Sequence, residues 1–354
     1  MGRPSTSEAA TPLVRPDGRP IQSMLVIKPR AIGDVLLSTA VTPNLRAAFP
    51  DARIDFLTEA AAGDIIRHNP YLDNAIVFSP RRDNFLTLLW RLNRSHYDLV
   101  IDLFCNPRSA QMTFATRAPL RAGYPFRGRA YAYNHHIQTR ADQVHNVEFN
   151  LDALRSLGIP VVDTRPVLAV SDEARRWAAE YVAAHFPPNT PVIALNPSGT
   201  WESKRWGLEH FAELGDALIE QRACSILLVW GPGELDDVRH IASLMRHAPI
   251  IPPASTLQQL AALFTHCTAM VSNDSGPMHI AAIMGTPTLG IFGPTNPLFQ
   301  GPYSPRGRWI RLEGLDCLAC NRTICPIGTI CMRDLTVAPV LDATRALLEE
   351  HHDA

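Results

Sequence analysis

Residues 271–297 read VSNDSGPMHIAAIMGTPTLGIFGPTNP. An apolar run leads into Asp274-Ser275-Gly276. A small-residue segment then carries His279, and a second apolar run closes on Gly293-Pro294-Thr295. A polar turn where a strand hands over to a helix suits phosphate, because backbone N–H groups at a helix start lack partners and carry partial positive charge. His279, on the first turns of that helix, can face the same ligand. Three more segments have this placement. In KPRAIGDVLLSTAV, residues 28–41, Gly33 permits a close backbone turn and Asp34 opens a helix as an N-cap or first-turn acid. In NPSGTWESKRW, residues 196–206, Lys204 is either a phosphate counter-charge or a solvated loop lysine. In GPGE, residues 231–234, Glu234 is either a ribose-binding acid or a first-turn residue.

Strands and helices must position these turns. MLVIK (24–28), RIDFLT, AIVF and DLVIDL read as strands, with a helix expected from about Ile32 to Phe49 after the first. The second half repeats the scheme with VIALN (192–196), SILLVW (225–230), AMVS (269–272) and TLGIF (288–292), separated by helices near 207–221, 235–246 and 277–284. Nearly continuous apolar strands alternating with helices indicate parallel sheets covered on both faces. The expectation is therefore α/β, with two Rossmann-like domains facing across a cleft and the motifs at the carboxyl ends of the strands. Its divisions are a disordered tail over 1–22, a first domain over 23–170, a second over 171–335 and a C-terminal amphipathic helix over 336–354.

The chain has 354 residues, is 46% hydrophobic and has a formal net charge of −1. Residues 1–160 hold 19 basic and 14 acidic residues, and an anionic partner for the first half or a solvated surface explains so modest an excess equally well. Only Lys28 and Lys204 are lysine among 33 basic residues. A compact ammonium at those two places is one explanation and chance is the other. No apolar run approaches the roughly 20 residues that span a bilayer. Residues 1–22 have no hydrophobic signal core, and a cytoplasmic protein with Cys105, Cys224 and Cys267 reduced and structural is expected. No GxGxxG opens either half, which disfavours a dinucleotide oxidoreductase.

Taken in order, the motifs resemble the ADP-heptose:lipopolysaccharide heptosyltransferase family, glycosyltransferase family nine. The matching pieces are Ile32-Gly33-Asp34-Val35-Leu36, Lys204-Arg205-Trp206, Ser272 to His279, and Gly293-Pro294-Thr295. The resemblance implies the GT-B fold, with donor bound mainly by the second domain and acceptor by the first. It implies inverting transfer of heptose from ADP-heptose to a lipopolysaccharide inner core, with no cofactor and no metal at the reacting centre. A related transferase using another nucleotide sugar or surface glycan, or a silent sugar-nucleotide-binding protein, is the alternative.

By that resemblance Asp34 is the base. Lys204, Thr200, Ser275 and Gly276 meet the diphosphate, Asp274 holds donor sugar hydroxyls, and Glu234 holds the ribose. His279 either touches the diphosphate or orients Asp274. The acceptor side comprises Gly33, Asn106 and Arg108, with Arg81, Arg82, Arg117, Arg121, Arg127 and Arg129 as further candidates for an anionic glycolipid. Such an acceptor places the protein at the inner face of the cytoplasmic membrane, with no transmembrane segment and no nucleic-acid partner. Cys317, Cys320, Cys325 and Cys331 follow the pattern C-x2-C-x4-C-x5-C. A structural metal, a disulfide or redox pair, and free thiols all remain open, and no metal site is assigned.

Overall fold

A computed structural model describes residues 13–140 and 143–350. The chain divides into two compact units, one built from residues up to 141 and 146–167, the other from 142–145 and 168 onward.

In the first unit, strands β1 (Ser23–Ile27), β2 (Arg53–Glu59), β3 (Asn74–Phe78), β4 (Leu99–Asp102), β5 (Leu120–Gly123) and β6 (His135–His136) form one sheet in the order β3-β2-β1-β4-β5-β6. All its pairings are parallel. Its helices are α1 (Ile32–Ser38), α2 (Val41–Ala48), α3 (Gly63–Ile66), α4 (Phe85–Arg94), α5 (Pro107–Ala115) and α6 (Asn146–Ser156). Strand order reverses at β1, and each parallel crossover is right-handed, so α4 and α5 share one face while α1 to α3 cover the other. Leu25, Ile27, Val100 and Met112 pack with Leu88 and Leu92 of α4 in the core beneath that first face.

The second unit carries α7 (Asp172–His185), β7 (Val192–Asn196), α8 (Leu208–Arg222), β8 (Ser225–Leu228), α9 (Leu235–Leu244), α10 (Leu257–Phe264), β9 (Ala269–Asn273), α11 (Gly276–Ile283), β10 (Thr288–Phe292), α12 (Pro297–Gln300), β11 (Gly307–Arg311), α13 (Ile330–Arg333) and α14 (Val337–Glu350). Its parallel sheet runs β11-β10-β9-β7-β8. β7, β9 and β10 are buried along their whole length, apolar at their centres with polar residues near their ends. The C-terminal helix α14 packs on α8 within this unit.

Two sequence expectations need correction. The long helix expected over Ile32–Phe49 is two helices, because Pro43 has no N–H for the Thr39 carbonyl and the Thr39 hydroxyl turns back onto Leu36 O at 2.6 Å. Residues 13–22, expected in a disordered tail, form a turn with a Val14–Pro20 bridge. That turn is held because the Asp98 carboxylate needs partners for its charge: Arg15 lies at 2.8 Å, and the Gln22 N–H donates to it at 2.9 Å. The rest of the expected tail, residues 1–12, lies outside the described residues.

Candidate active site

In the second unit every motif stands at the carboxyl edge of the sheet. Asn196 ends β7, Asn273 ends β9, and the turns at 231–234 and 293–295 follow β8 and β10. The two asparagines tie these turns together. Asn196 donates to Ser272 Oγ at 2.8 Å and to Ser275 Oγ at 2.7 Å. Asn273 accepts from the Trp206 N–H at 3.1 Å and donates to Pro197 O at 2.8 Å. Trp206 itself is fully buried, so the Lys204 loop is anchored by its neighbour in the core.

Lys204 ends a short 3-10 turn, Glu202–Lys204, and its ammonium meets Asp274 at 2.6 Å. The Trp201 ring lies 4.4 Å from the same ammonium, and the Thr295 hydroxyl donates to Asp274 Oδ2 at 2.7 Å. Asp274 is buried, so this charge is compensated by an ion pair and a hydrogen bond together. Ser275 caps α11 without a side-chain bond to the helix, and Gly276 is its first residue. Their N–H groups thus stand beside a cation, the arrangement an anion needs. His279 is buried on the same helix. Thr200 is exposed on the loop before Lys204.

Glu234 faces inward on its own turn, accepting from Ser198 Oγ at 2.5 Å and the Gly231 N–H at 2.8 Å. The carboxylate closes the turn at the start of α9, and the next residue, Leu235, lines a groove. That groove, of about 930 Å³, is lined by Trp230, Leu235, Ile251 and Pro252 among others.

In the first unit β1 pairs with β4, so the loops carrying Asp34 and Asn106 are neighbours. Asp34 is half-buried in the first turn of α1. Oδ2 accepts from the Ala31 N–H at 3.3 Å and Oδ1 from Asn146 Nδ2 at 3.4 Å. Gly33 is the second residue of α1 and needs no left-handed backbone. Asn106 caps α5 through the Ser109 N–H at 2.7 Å, and Arg108 is exposed with its guanidinium 5.8 Å from the Phe85 ring centre.

Arg121 is spent on structure, donating to Ala132 O and Ala118 O. Lys28 is buried and donates to Leu103 O at 2.9 Å. Burial pushes its ammonium down, while Asp34, Asp102 and Cys105 push it back up.

Three residues to which the sequence reading gave no role of their own matter to the geometry. Thr295 shares Asp274, and the Gly-Pro-Thr turn was its signal. Asn196 and Asn273 position the turns and could be suspected only as polar residues ending apolar strands. Asp102 belongs to a buried network instead: it accepts from the Cys105 N–H at 2.8 Å and the Tyr133 hydroxyl at 2.8 Å, and burial pushes its carboxyl up.

All seven cysteines are free. Cys105, Cys224 and Cys267 are buried, as expected of structural thiols. Cys317, Cys320, Cys325 and Cys331 line one small pocket of about 200 Å³ with Ser203 and Pro294. Among the described residues no three His, Cys, Asp or Glu side chains stand where they could hold a metal ion. The segment straps the turns around Gly293 and Ser203: Ala319 N–H donates to Gly293 O at 3.1 Å, Asn321 N–H to Pro294 O at 2.7 Å, and Ser203 Oγ to Arg322 O at 2.6 Å. The Ile327 and Thr329 N–H groups pull the Cys325 thiol below its ordinary pKa, whereas burial pushes Cys105 and Cys267 up to about 12. Iodoacetamide at neutral pH should therefore alkylate Cys325 well before Cys105 or Cys267. Peptide mass spectrometry over a time course checks this, and earlier labelling of either buried thiol would contradict it.

The family model for glycosyltransferase family 9 (heptosyltransferase) matches residues 85–330. The chain belongs to that family. As a heptosyltransferase-family glycosyltransferase it is 28% identical over 291 residues to lipopolysaccharide heptosyltransferase 3 of Escherichia coli K12, covering 77% of this chain and 83% of that one. Lipopolysaccharide heptosyltransferase 1 of Pseudomonas aeruginosa is 26% identical, with 85% and 87% covered. Among solved structures, a family 9 transferase from Veillonella parvula matches with a TM-score of 0.80 at 25% identity, covering 93% of this chain and 97% of that one. An E. coli heptosyltransferase solved with ADP matches at 0.69 and 22% identity, with 93% and 99% covered. The fold is that of these GT-B transferases. No helix among the described residues is long and apolar enough to cross a membrane.

Proposed function

We propose that this transferase moves heptose from ADP-heptose to a lipopolysaccharide inner-core acceptor, with inversion and without a divalent metal at the reacting centre. The observation that carries the reading is the Lys204–Asp274 pair beside the start of α11. It joins a cation, two helix-start N–H groups and a sugar-binding acid in one place. Heptosyltransferase relatives matched over most of the chain support the sugar and the acceptor.

Asp34 takes the proton of the acceptor hydroxyl as that oxygen attacks the anomeric carbon. The bond to the ADP oxygen breaks on the opposite side of the sugar, which inverts the centre. Charge then collects on the diphosphate. Lys204, the Thr200 and Ser275 hydroxyls and the N–H groups of Ser275 and Gly276 stabilise it as fixed donors. The diphosphate draws the Lys204 ammonium from Asp274, which keeps Thr295 and turns to the sugar hydroxyls. Glu234 holds the ribose, and Trp230, Leu235 and Pro252 wall the base. Asn106 and Arg108 serve the acceptor, Asn106 by shaping its loop and Arg108 by charge.

Mass spectrometry of the purified protein with ADP-heptose and truncated core acceptors tests this. Heptosylated product is expected, and equal yield in EDTA is expected too, because the sequence contains no Asp-x-Asp pair to hold a catalytic cation and Lys204 supplies the charge. Transfer from another nucleotide sugar alone would overturn the donor. A requirement for added magnesium or manganese would overturn the metal-free chemistry.

A further inference from the structure

Apart from Arg108, the outer face of α4 and α5 has no role in the chemistry above. Leu86 is 73% exposed and Trp90 58%, one helical turn apart on α4. The inner face of the same helix buries Leu88 and Leu92, and its apolar stripe runs on past the core to the open Leu86 and Trp90, with Arg91 and Arg94 on the polar side. Phe114 on α5 is also open and packs edge-on against exposed Tyr131, with ring centres 5.6 Å apart. Single exposed apolar residues are ordinary on a protein surface. Here they are interleaved with arginine: Arg94 lies 4.8 Å from the Trp90 ring centre, Arg108 reaches over Phe85, and Arg81, Arg82 and Arg91 are exposed around them. Between Arg81 and Tyr131 the sequence has nine arginines, one of them the Arg121 spent on structure, and three acids, two of which, Asp98 and Asp102, are buried. The surface is therefore cationic with an aromatic and aliphatic centre. Arginines beside tryptophan and leucine suit the boundary between lipid headgroups and acyl chains, where rings and aliphatic groups enter and guanidinium groups stay on phosphate.

We infer that the α4–α5 face docks this transferase on an anionic phospholipid bilayer. The inference rests on the proposed glycolipid acceptor for its purpose, and Arg108 adjoins both surfaces, so docking brings the acceptor-side loop to the membrane. It rests on charge complementarity and the exposed apolar residues for its physics.

The test is sedimentation of the full chain with phosphatidylcholine vesicles, with and without phosphatidylglycerol, at low and high salt. Binding is expected only with phosphatidylglycerol and should fall as salt screens it. The Arg91→Gln/Arg94→Gln variant should weaken binding about fivefold for each charge removed. The Leu86→Gln/Trp90→Gln variant should weaken it by at least roughly tenfold, from lost apolar insertion. Both variants should keep the parent melting temperature, because their side chains are exposed, and both should keep transfer to a soluble, deacylated acceptor.

Equal binding to phosphatidylcholine alone, or binding indifferent to both variants, would overturn the inference. So would retention on bacterial membranes that protease treatment abolishes, which would mean a protein partner. The vesicles contain no acceptor, so a chain acting on another sugar would still bind them. A chain that transfers heptose but ignores the vesicles would sink the docking surface alone.

Discussion

Replacing Asp34 by asparagine is expected to cut turnover by about a hundred- to ten-thousand-fold, the usual loss when a general base is removed. The geometry makes this substitution a clean one. Asparagine retains an oxygen that can accept from the Ala31 N–H, so the start of α1 stays capped and the fold stays intact. What disappears is the capacity to take a proton. Donor affinity should be unchanged, since the donor groups are on other loops. Steady-state kinetics with calorimetry of ADP binding separates the outcomes. Near-normal turnover would reduce Asp34 to a helix cap. Asp34→Ala would remove cap and base together and should cost about 1 kcal/mol of stability in addition.

Lys204→Ala has two expected consequences. Donor affinity should fall roughly ten- to two-hundred-fold, corresponding to a charge-assisted bond of about 1.5–3 kcal/mol. The fold should also lose stability, because Asp274 is buried and would keep the Thr295 hydrogen bond but lose its counter-charge. Adding Asp274→Asn should recover part of the melting temperature without recovering the donor affinity, a non-additivity expected of groups in direct contact. Lys204→Arg should rescue incompletely, since a wide planar guanidinium must fit between the Trp201 ring and Asp274. Unaltered ADP affinity in both single variants would remove Lys204 from the donor site.

The elements that could be read ahead of the structure were those whose residues need no distant partner. VIALN at 192–196 and TLGIF at 288–292 are strands with the expected ends, because a buried parallel strand reads as a near-continuous apolar run. β5 and β11 escaped notice because LRAG and GRWIR break the apolar run with arginine and glycine at the margins of their sheets. The division of α1 from α2 turned on one missing N–H at Pro43. Strand-to-helix turns marked the donor-side loops, but the pairing of Lys204 with Asp274 joins positions seventy residues apart that only the sheet register brings together. The Asp102–Tyr133 bond was hidden for the same reason. The cysteine spacing left metal, disulfide and free thiols open, because it gave no sign that the local backbone uses its N–H groups to strap the Gly-Pro turn.

The scarcity of lysine gives the protein an internal reporter. Lys28 is enclosed under Leu103, and Lys204 is the one other side-chain amine in the sequence. An acylating reagent meets little besides the N-terminus and the ammonium beside Asp274. Nucleotide occupancy of the donor loop can thus be followed by the protection of a single side chain, with no label engineered into the chain.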